Sequence, residues 1–188
     1  MDENELIHRS QNGDIDCFNQ LVKHYQEQLY NLSFHMMGDG PSADDATQDA
    51  LFSAWRAISR YRSGNFRAWL LRITTNVCRD KLRSRKRHVT ISLDALPVEP
   101  DLSSYAEKSL EDPHDYVLHL ELNNEIKAGL AQLSPEQKAV VIMSDIQGLS
   151  YEEISQITDC SLGTVKSRLS RGRHTLRDYL RQNGTLPP

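Results

Sequence analysis

The residues best placed to do chemistry lie between Ser150 and Arg173, in SYEEISQITDCSLGTVKSRLSRGR. Lys166, Arg168, Arg171 and Arg173 crowd into its second half, with Ser167 and Ser170 among them. Short hydroxyl donors and long cations together suit the major groove of DNA, where Arg and Lys reach guanine edges. The same stretch supplies the elements that would hold them. Ser150 with Glu153 three residues on is a capping box, so a helix is expected to start there, with Ile154 and Ile157 on its apolar side. Thr158, Asp159 and Cys160 are expected to form a turn, and Asp tolerates the left-handed backbone such turns need. Ser161 is a suitable N-cap for the next helix. Val165 and Leu169, one turn apart, face inward together and leave Lys166, Ser167, Ser170 and Arg171 facing out. This is the pattern of a helix-turn-helix. A plain helical hairpin with a solvated basic face fits the same stretch and stays open at this point.

The whole chain has 188 residues and a net charge of −4, which would argue against nucleic acid if the charge were spread evenly. It is segregated instead. Arg79 to Arg87, RDKLRSRKR, is densely basic, whereas Asp94 to Glu121 holds eight acids and one lysine. With 38% hydrophobic residues, no run is apolar for the length of a membrane span, so no membrane insertion is expected. The acidic start, MDENELIHRS, is not a secretory signal, and a cytoplasmic location is expected. Cys17, Cys78 and Cys160 are far apart and have no metal spacing; they are expected to be reduced thiols filling core or turn. No metal and no cofactor is expected. The seven histidines are scattered and no nucleophile elbow or phosphate loop occurs, so an enzyme is not expected.

In chain order, Asp14 to Phe34 reads as one long helix, with Ile15, Phe18, Leu21, Val22, Tyr25, Leu29 and Leu32 as its stripe. Gly38 to Pro41 breaks it, and Ser42 is expected to cap a second helix running to about Arg60. Its inward stripe is Ala43, Ala46, Ala50, Leu51, Ala54, Trp55 and Ile58. Its other face carries Asp45, Gln48, Asp49, Phe52 and Arg56. A phenylalanine amid acids is either a partner contact or a residue tucked under a neighbouring loop; the helix alone leaves these even. Tyr61 to Asn65 is a loop. Phe66 to about Lys86 is a helix with Phe66, Trp69, Leu70, Ile73, Val77 and Leu82 inward. Arg67, Arg72, Asn76, Arg79, Lys81 and Arg83 face outward. Aromatics beside a cationic helix suit melted nucleic acid, although a solvated basic face over an aromatic core fits as well. His88 to Pro113, with three prolines and many acids, reads as a linker without stable structure. Asp115 to Gln132 is helical through Tyr116, Leu120, Ile126 and Leu130. Ser134, Pro135 and Gln137 announce a further helix to Gln147, stopped by Gly148. The tail from Asn183 is expected to fray. No strand pattern persists.

These motifs in this order resemble one family. DDATQDALFSAWRA and FRAWLLRITTNVCRDKLRSRKR, then an acidic linker, then LSPEQKAVVIMSDIQGLSYEEISQITDCSLGTVKSRLSRGRHTLR, are similar to an extracytoplasmic-function (ECF) sigma factor, group IV of the sigma-70 family. The resemblance covers Gln11 to Arg87 and Asp115 to Arg181. It implies an all-α chain of two small helical domains: region 2 over 1–87, a flexible acidic linker over 88–114, and region 4 over 115–188. It implies binding to core RNA polymerase, through the clamp helices of the largest subunit and the flap of the second-largest, and recognition of promoter DNA. Asp45, Gln48, Asp49 and Phe52 match the clamp-contacting face, which decides for a partner at Phe52. The loop with Arg62, Ser63 and Asn65, and the helix with Phe66, Trp69, Asn76, Arg79, Lys81 and Arg83, match the part that captures and melts the −10 element. Lys166, Ser167, Ser170 and Arg171 match the −35 reading surface, with Arg168 and Arg173 on the DNA backbone. The linker would run through the polymerase cleft, and an anti-sigma factor would mask the binding faces. The chain departs from the pattern at Thr158 and Asp159, where Leu-Gly is common, at Ser155, where alanine is usual, and at Ser170, often larger. A stand-alone dimeric regulator is the rival reading, but no dimerisation seam or ligand domain is apparent in the sequence.

Overall fold

The structure is a computed structural model that describes residues 1–91 and 113–185, with side chains described over 1–87 and 122–185. Among these, every regular element is a helix. The N-terminal half contains α1 (Glu3–Gln11), α2 (Ile15–Lys23), α3 (Gln26–Met37), α4 (Gly40–Ala57), a short 3₁₀ turn (Ile58–Arg60) and α5 (Phe66–Ile91). The C-terminal half contains α6 (Pro113–Ala131), α7 (Pro135–Val141), a π turn (Ile142–Ile146), α8 (Tyr151–Thr158) and α9 (Leu162–Gln182). The stretch expected to be an unstructured linker is helical at both ends, at 88–91 and from 113. Its middle lies outside the described residues, as do the side chains of Tyr116 and Leu120.

Three boundaries differ from the sequence reading. The polar first segment is a helix, capped by Asp2 and burying Leu6, Ile7 and Ser10. The expected single helix from Asp14 bends at His24 and Tyr25, where the Tyr25 ring turns onto Phe66, with ring centroids 6.0 Å apart. Asp39 rather than Ser42 caps α4, accepting a 2.8 Å hydrogen bond from the Ser42 backbone N–H, with Pro41 in the first turn. The alanine stripe of α4 is buried as expected, at Ala43, Ala46, Ala50 and Ala54. Small residues there let α3 and α5 approach closely. On α5 the buried stripe is shifted, to Phe66, Leu70, Leu71, Thr74, Thr75 and Cys78. The two threonines fit an apolar core because their hydroxyls donate back to the Leu70 and Leu71 carbonyls, at 3.0 and 2.7 Å.

The C-terminal half is built on caps. Ser134 and Gln137 form one reciprocal capping box, and Ser150 and Glu153 another. Asp159 adopts φ 54 and ψ 48, a left-handed backbone that ends α8. Ser161 then caps α9. Gly172 allows α9 to lie on α7: a Cβ there would come within 2.8 Å of Val141 Cγ2. Alanine would favour the helix by about 1 kcal/mol, but the overlap with a stiff β-branched side chain costs about 1–3 kcal/mol. Gly172→Ala is therefore expected to lower the thermal unfolding midpoint; a raised midpoint would show that α7 yields.

Buried apolar residues from both halves join in one continuous cluster, from Leu6 to Leu169. The halves meet where α3 and α5 pack against α7 and α8.

Candidate nucleic-acid and polymerase interfaces

The recognition surface is built by α9. Val165 and Leu169 are buried and fix the helix in its groove, so Lys166, Ser170, Arg171 and Arg173 are exposed, while Ser167 and Arg168 are half-buried. Arg171 is held within its own helix: its Nε donates to the Ser167 carbonyl and its Nη2 to Ser167 Oγ, both at 3.3 Å. These contacts leave the outer edge of the guanidinium free to point away from the protein. Arg168 lies against the Cys160 sulfur at 3.6 Å, beside the turn. Arg173 is different. Its Nε donates to Asp145 Oδ2 at 2.9 Å and its Nη2 to the other carboxylate oxygen, which pushes its pKa up. That pair ties α9 to the π turn, so Arg173 is already neutralised in this conformation.

The second surface follows the loop at Tyr61–Asn65 and the start of α5. Gly64 has φ 116, in the region that favours glycine, and its carbonyl accepts from the Tyr61 hydroxyl at 2.6 Å. Asn65 Oδ1 accepts from the Ala68 backbone N–H at 3.0 Å and starts α5. Arg62, Ser63 and Asn65 are exposed. Around them opens a cavity of about 290 Å³, walled by Tyr61, Arg62, Asn65, Trp69, Arg72 and, from α8, Gln156. That is room for one unstacked base. Phe66 corrects the sequence reading: it is 1% exposed, wedged among Tyr25, Tyr61 and Trp69, and supports the cavity without lining it. Trp69 is half-buried and lines the cavity.

Further along α5 the cations divide by helical phase. Arg79 and Arg83, four apart, face the C-terminal half and share the Glu136 carboxylate, at 3.2 and 2.6 Å. Asn76 is exposed. Lys81 and Arg85, also four apart, face α4. The Lys81 ammonium sits 2.5 Å from Asp45 and 2.6 Å from Asp49, and Arg85 lies 3.7 Å from Asp39. Lys81, grouped by sequence with the phosphate contacts, is thus placed on the acidic face of α4.

That face is the third surface. Asp45, Gln48, Asp49 and Phe52 are all exposed, at steps that put them on one side of α4. Phe52 is 62% exposed, with the Arg56 guanidinium carbon 5.6 Å from its ring centroid. No loop covers it among the described residues. A large aromatic left in water, with Asp49 one turn before it and Arg56 one turn after, is the kind of side chain that anchors a protein interface.

Sequence reasoning missed Glu136 and Gln156 altogether. Each comes from the other half of the chain and meets α5 through packing between the halves, for which no local pattern codes. Among the described residues no group of His, Cys, Asp and Glu could hold a metal ion, and no helix is long and apolar enough to cross a membrane. Cys17 and Cys78 are buried, and burial pushes the Cys78 thiol up to about 11, so it stays protonated.

Comparison with known proteins agrees with this geometry. The family model for sigma-70 region 2 matches residues 21–88, and the model for sigma-70 region 4 matches residues 123–176. The chain is 37% identical over 173 residues to the ECF RNA polymerase sigma factor SigE of Mycolicibacterium smegmatis, covering 91% of this chain and 64% of that one. It is 33% identical over 178 residues to the ECF RNA polymerase sigma factor SigW of Bacillus subtilis, covering 93% and 95%. Among solved structures it resembles the sigma factor RpoE in complex with the anti-sigma factor NepR from Bartonella quintana, with a TM-score of 0.65, 28% identity, and coverage of 87% and 96%. With two regions matched in order and a relative matched over nearly its whole length, the chain belongs to the ECF sigma factors of the sigma-70 family.

Proposed function

We infer that this chain binds core RNA polymerase and directs it to promoters by recognising −10 and −35 elements, itself catalysing no reaction. The observation that carries this is the bare Phe52 face of α4 on the same chain as the outward-facing recognition helix. A stand-alone regulator needs the second and has no use for the first. In this reading region 2 occupies 1–87, the acidic linker 88–114 and region 4 115–188. The α4 face docks on the clamp helices of the largest subunit, and region 4 reaches the flap of the second-largest. The cavity beside Trp69 takes one unpaired base of the −10 element. Arg62, Ser63, Asn65 and Asn76 border the melted strand, and Arg79 and Arg83 hold its phosphates. Lys166, Ser167, Ser170 and Arg171 read the −35 element in the major groove, with Arg168 beside them on the backbone. Two modest DNA contacts gain by being held on one polymerase platform. The likeness to a sigma factor solved with its anti-sigma factor supports regulation by a partner of that class.

The test is reconstitution with sigma-free bacterial core polymerase, scored by initiation from a genomic promoter library. Starts that share two upstream elements are expected. Duplex binding without core binding would favour the stand-alone regulator. Phe52→Ala should leave the fold intact, since the side chain is 62% exposed, and weaken core binding by about 2 kcal/mol, the scale of a buried aromatic anchor. Equal core affinity in titrations of wild type and variant would remove Phe52 from the interface.

A further inference from the structure

Two of the cations assigned to single-stranded DNA, Arg79 and Arg83, are already occupied by the chain itself, and so are their α5 neighbours Arg67 and Arg72. Glu136, in the first turn of α7, takes both Arg79 and Arg83. Asp159, at the left-handed turn of the helix-turn-helix, lies 2.8 Å from Arg72, which walls the base cavity. Glu153, from the α8 capping box, lies 3.6 Å from Arg67. Gln156 of α8 closes one side of that cavity, and Gln147 donates to the Gln28 carbonyl across the same junction at 3.0 Å. Every carboxylate in this set comes from region 4 and every guanidinium from α5 of region 2. The match runs along the helix from its first turn to Arg83.

A carboxylate that accepts from two guanidinium groups makes the bonds a phosphate would make. We propose that region 4 docks on the −10 face of region 2 as an internal stand-in for the melted strand, with Glu136 in the place of a phosphate. This rests on the reading of the chain as a sigma factor. In the docked form the chain has its own acids where promoter DNA must go, so DNA and docking exclude each other.

The chemistry also makes the docking reversible. Burial alone would raise the Glu136 pKa, but its backbone hydrogen bond and the guanidinium groups of Arg83 and Arg79 outweigh it and hold the carboxyl below its ordinary value. The acid is therefore charged at neutral pH. Arg83 and Asp159 remain more than half exposed, however, and ion pairs in water hold weakly. Glu136 is also an incomplete substitute: Arg79 Nε is buried with no acceptor among the described residues. A phosphate, with more acceptor oxygens, competes well for the same group. Ordered DNA on an assembled polymerase displaces region 4; free single strands displace it poorly.

The experiment compares the full chain with Glu136→Gln and with Glu136→Gln/Asp159→Asn. Both substitutions keep shape, and Asn tolerates the left-handed backbone at 159. Circular dichroism checks the fold, small-angle scattering reads the radius of gyration, and anisotropy of fluorescein-labelled oligothymidine reads single-strand binding. The variants are expected to expand and to bind oligothymidine about three- to tenfold tighter, more for the double variant, because Glu136→Gln removes two weak competing pairs and Asp159→Asn a third. Their affinity should also fall more steeply with salt, by up to about one unit of log–log slope per freed cation. Unchanged scattering and unchanged binding would overturn the proposal. So would expansion without tighter binding, because docking would then not mask the strand site. Should the variants expand and tighten while the wild type fails to initiate with any core polymerase, docking would stand and the functional reading would fall.

Discussion

Arg171→Glu is expected to cut initiation from a promoter with a −35 element by about a hundredfold, because it removes a base contact of about 1–3 kcal/mol and sets a carboxylate against acceptor atoms and phosphates. The protein itself should not suffer. Arg171 is exposed, and among the described residues its side chain bonds to Ser167 atoms one turn back in α9. Binding to core polymerase through the α4 face should be unchanged, because that face is on the other half of the chain. Arg173→Ala provides the contrast. Arg173 is tied to Asp145 and serves the junction of α9 with the π turn. Its loss is expected to lower thermal stability by about 1 kcal/mol or less, as for a partly exposed ion pair, with a weaker effect on initiation. The check is run-off transcription from one promoter with its −35 element intact or scrambled. Wild type should lose activity on scrambling and Arg171→Glu should have little left to lose. Equal activity of wild type and Arg171→Glu on the intact promoter would remove α9 from the reading of the −35 element.

What the sequence made legible was whatever short-range chemistry dictates. Ser134 with Gln137, Ser150 with Glu153, and Ser161 each mark a helix start, because a side chain must satisfy backbone donors within a few residues. Asp159 was readable as a turn because few other side chains accept φ above zero. The α4 face was readable because steps of three and four leave one side for Phe52 and another for the alanines. Long-range packing was not readable. Helix α1 is mostly polar and earned no helix from periodicity; it folds because Leu6 and Ile7 find the core and Asp2 caps it. Lys81 looked like Arg79 and Arg83 in a basic run. Two positions along a helix are about 200° of rotation, enough to turn Lys81 toward α4 and away from Glu136. The inward face of α5 was misjudged because the helix packs on two sides, on its own half and on α7 and α8, so a single-stripe pattern does not describe it.

Lys138→Met is expected to stabilise the docked chain by about 1–3 kcal/mol, since it replaces a buried charge with an apolar side chain of similar length. Lys138 lies on α7 and is 5% exposed, and its side chain has no hydrogen bond or ion pair among the described residues. The groups that face it are Cys78 and Arg85 on α5 and His35 on α3. Burial pulls its pKa down from 10.5 to about 8, with Cys78 opposing and Arg85 adding to the shift. The sign follows from proton counts. Between pH 8 and 10.5 the docked chain holds fewer protons than a chain with Lys138 in water, so docking strengthens as pH rises through that window. Below it both forms are protonated and the full penalty remains. The thermal midpoint of the wild type should therefore rise, relative to that of Lys138→Met, from neutral to mildly alkaline pH, and the variant should start higher. Parallel pH profiles with equal midpoints would mean that Lys138 keeps its water in solution. The direction on DNA is opposite to that of Glu136→Gln. A tighter dock hides the α5 cations, so Lys138→Met should bind oligothymidine more weakly than wild type. A largely buried lysine whose side chain has no partner among the described residues is hard to explain as a stabilising device. At the junction of the two regions it has a use, because it keeps the docked form shallow enough for DNA and polymerase to open it.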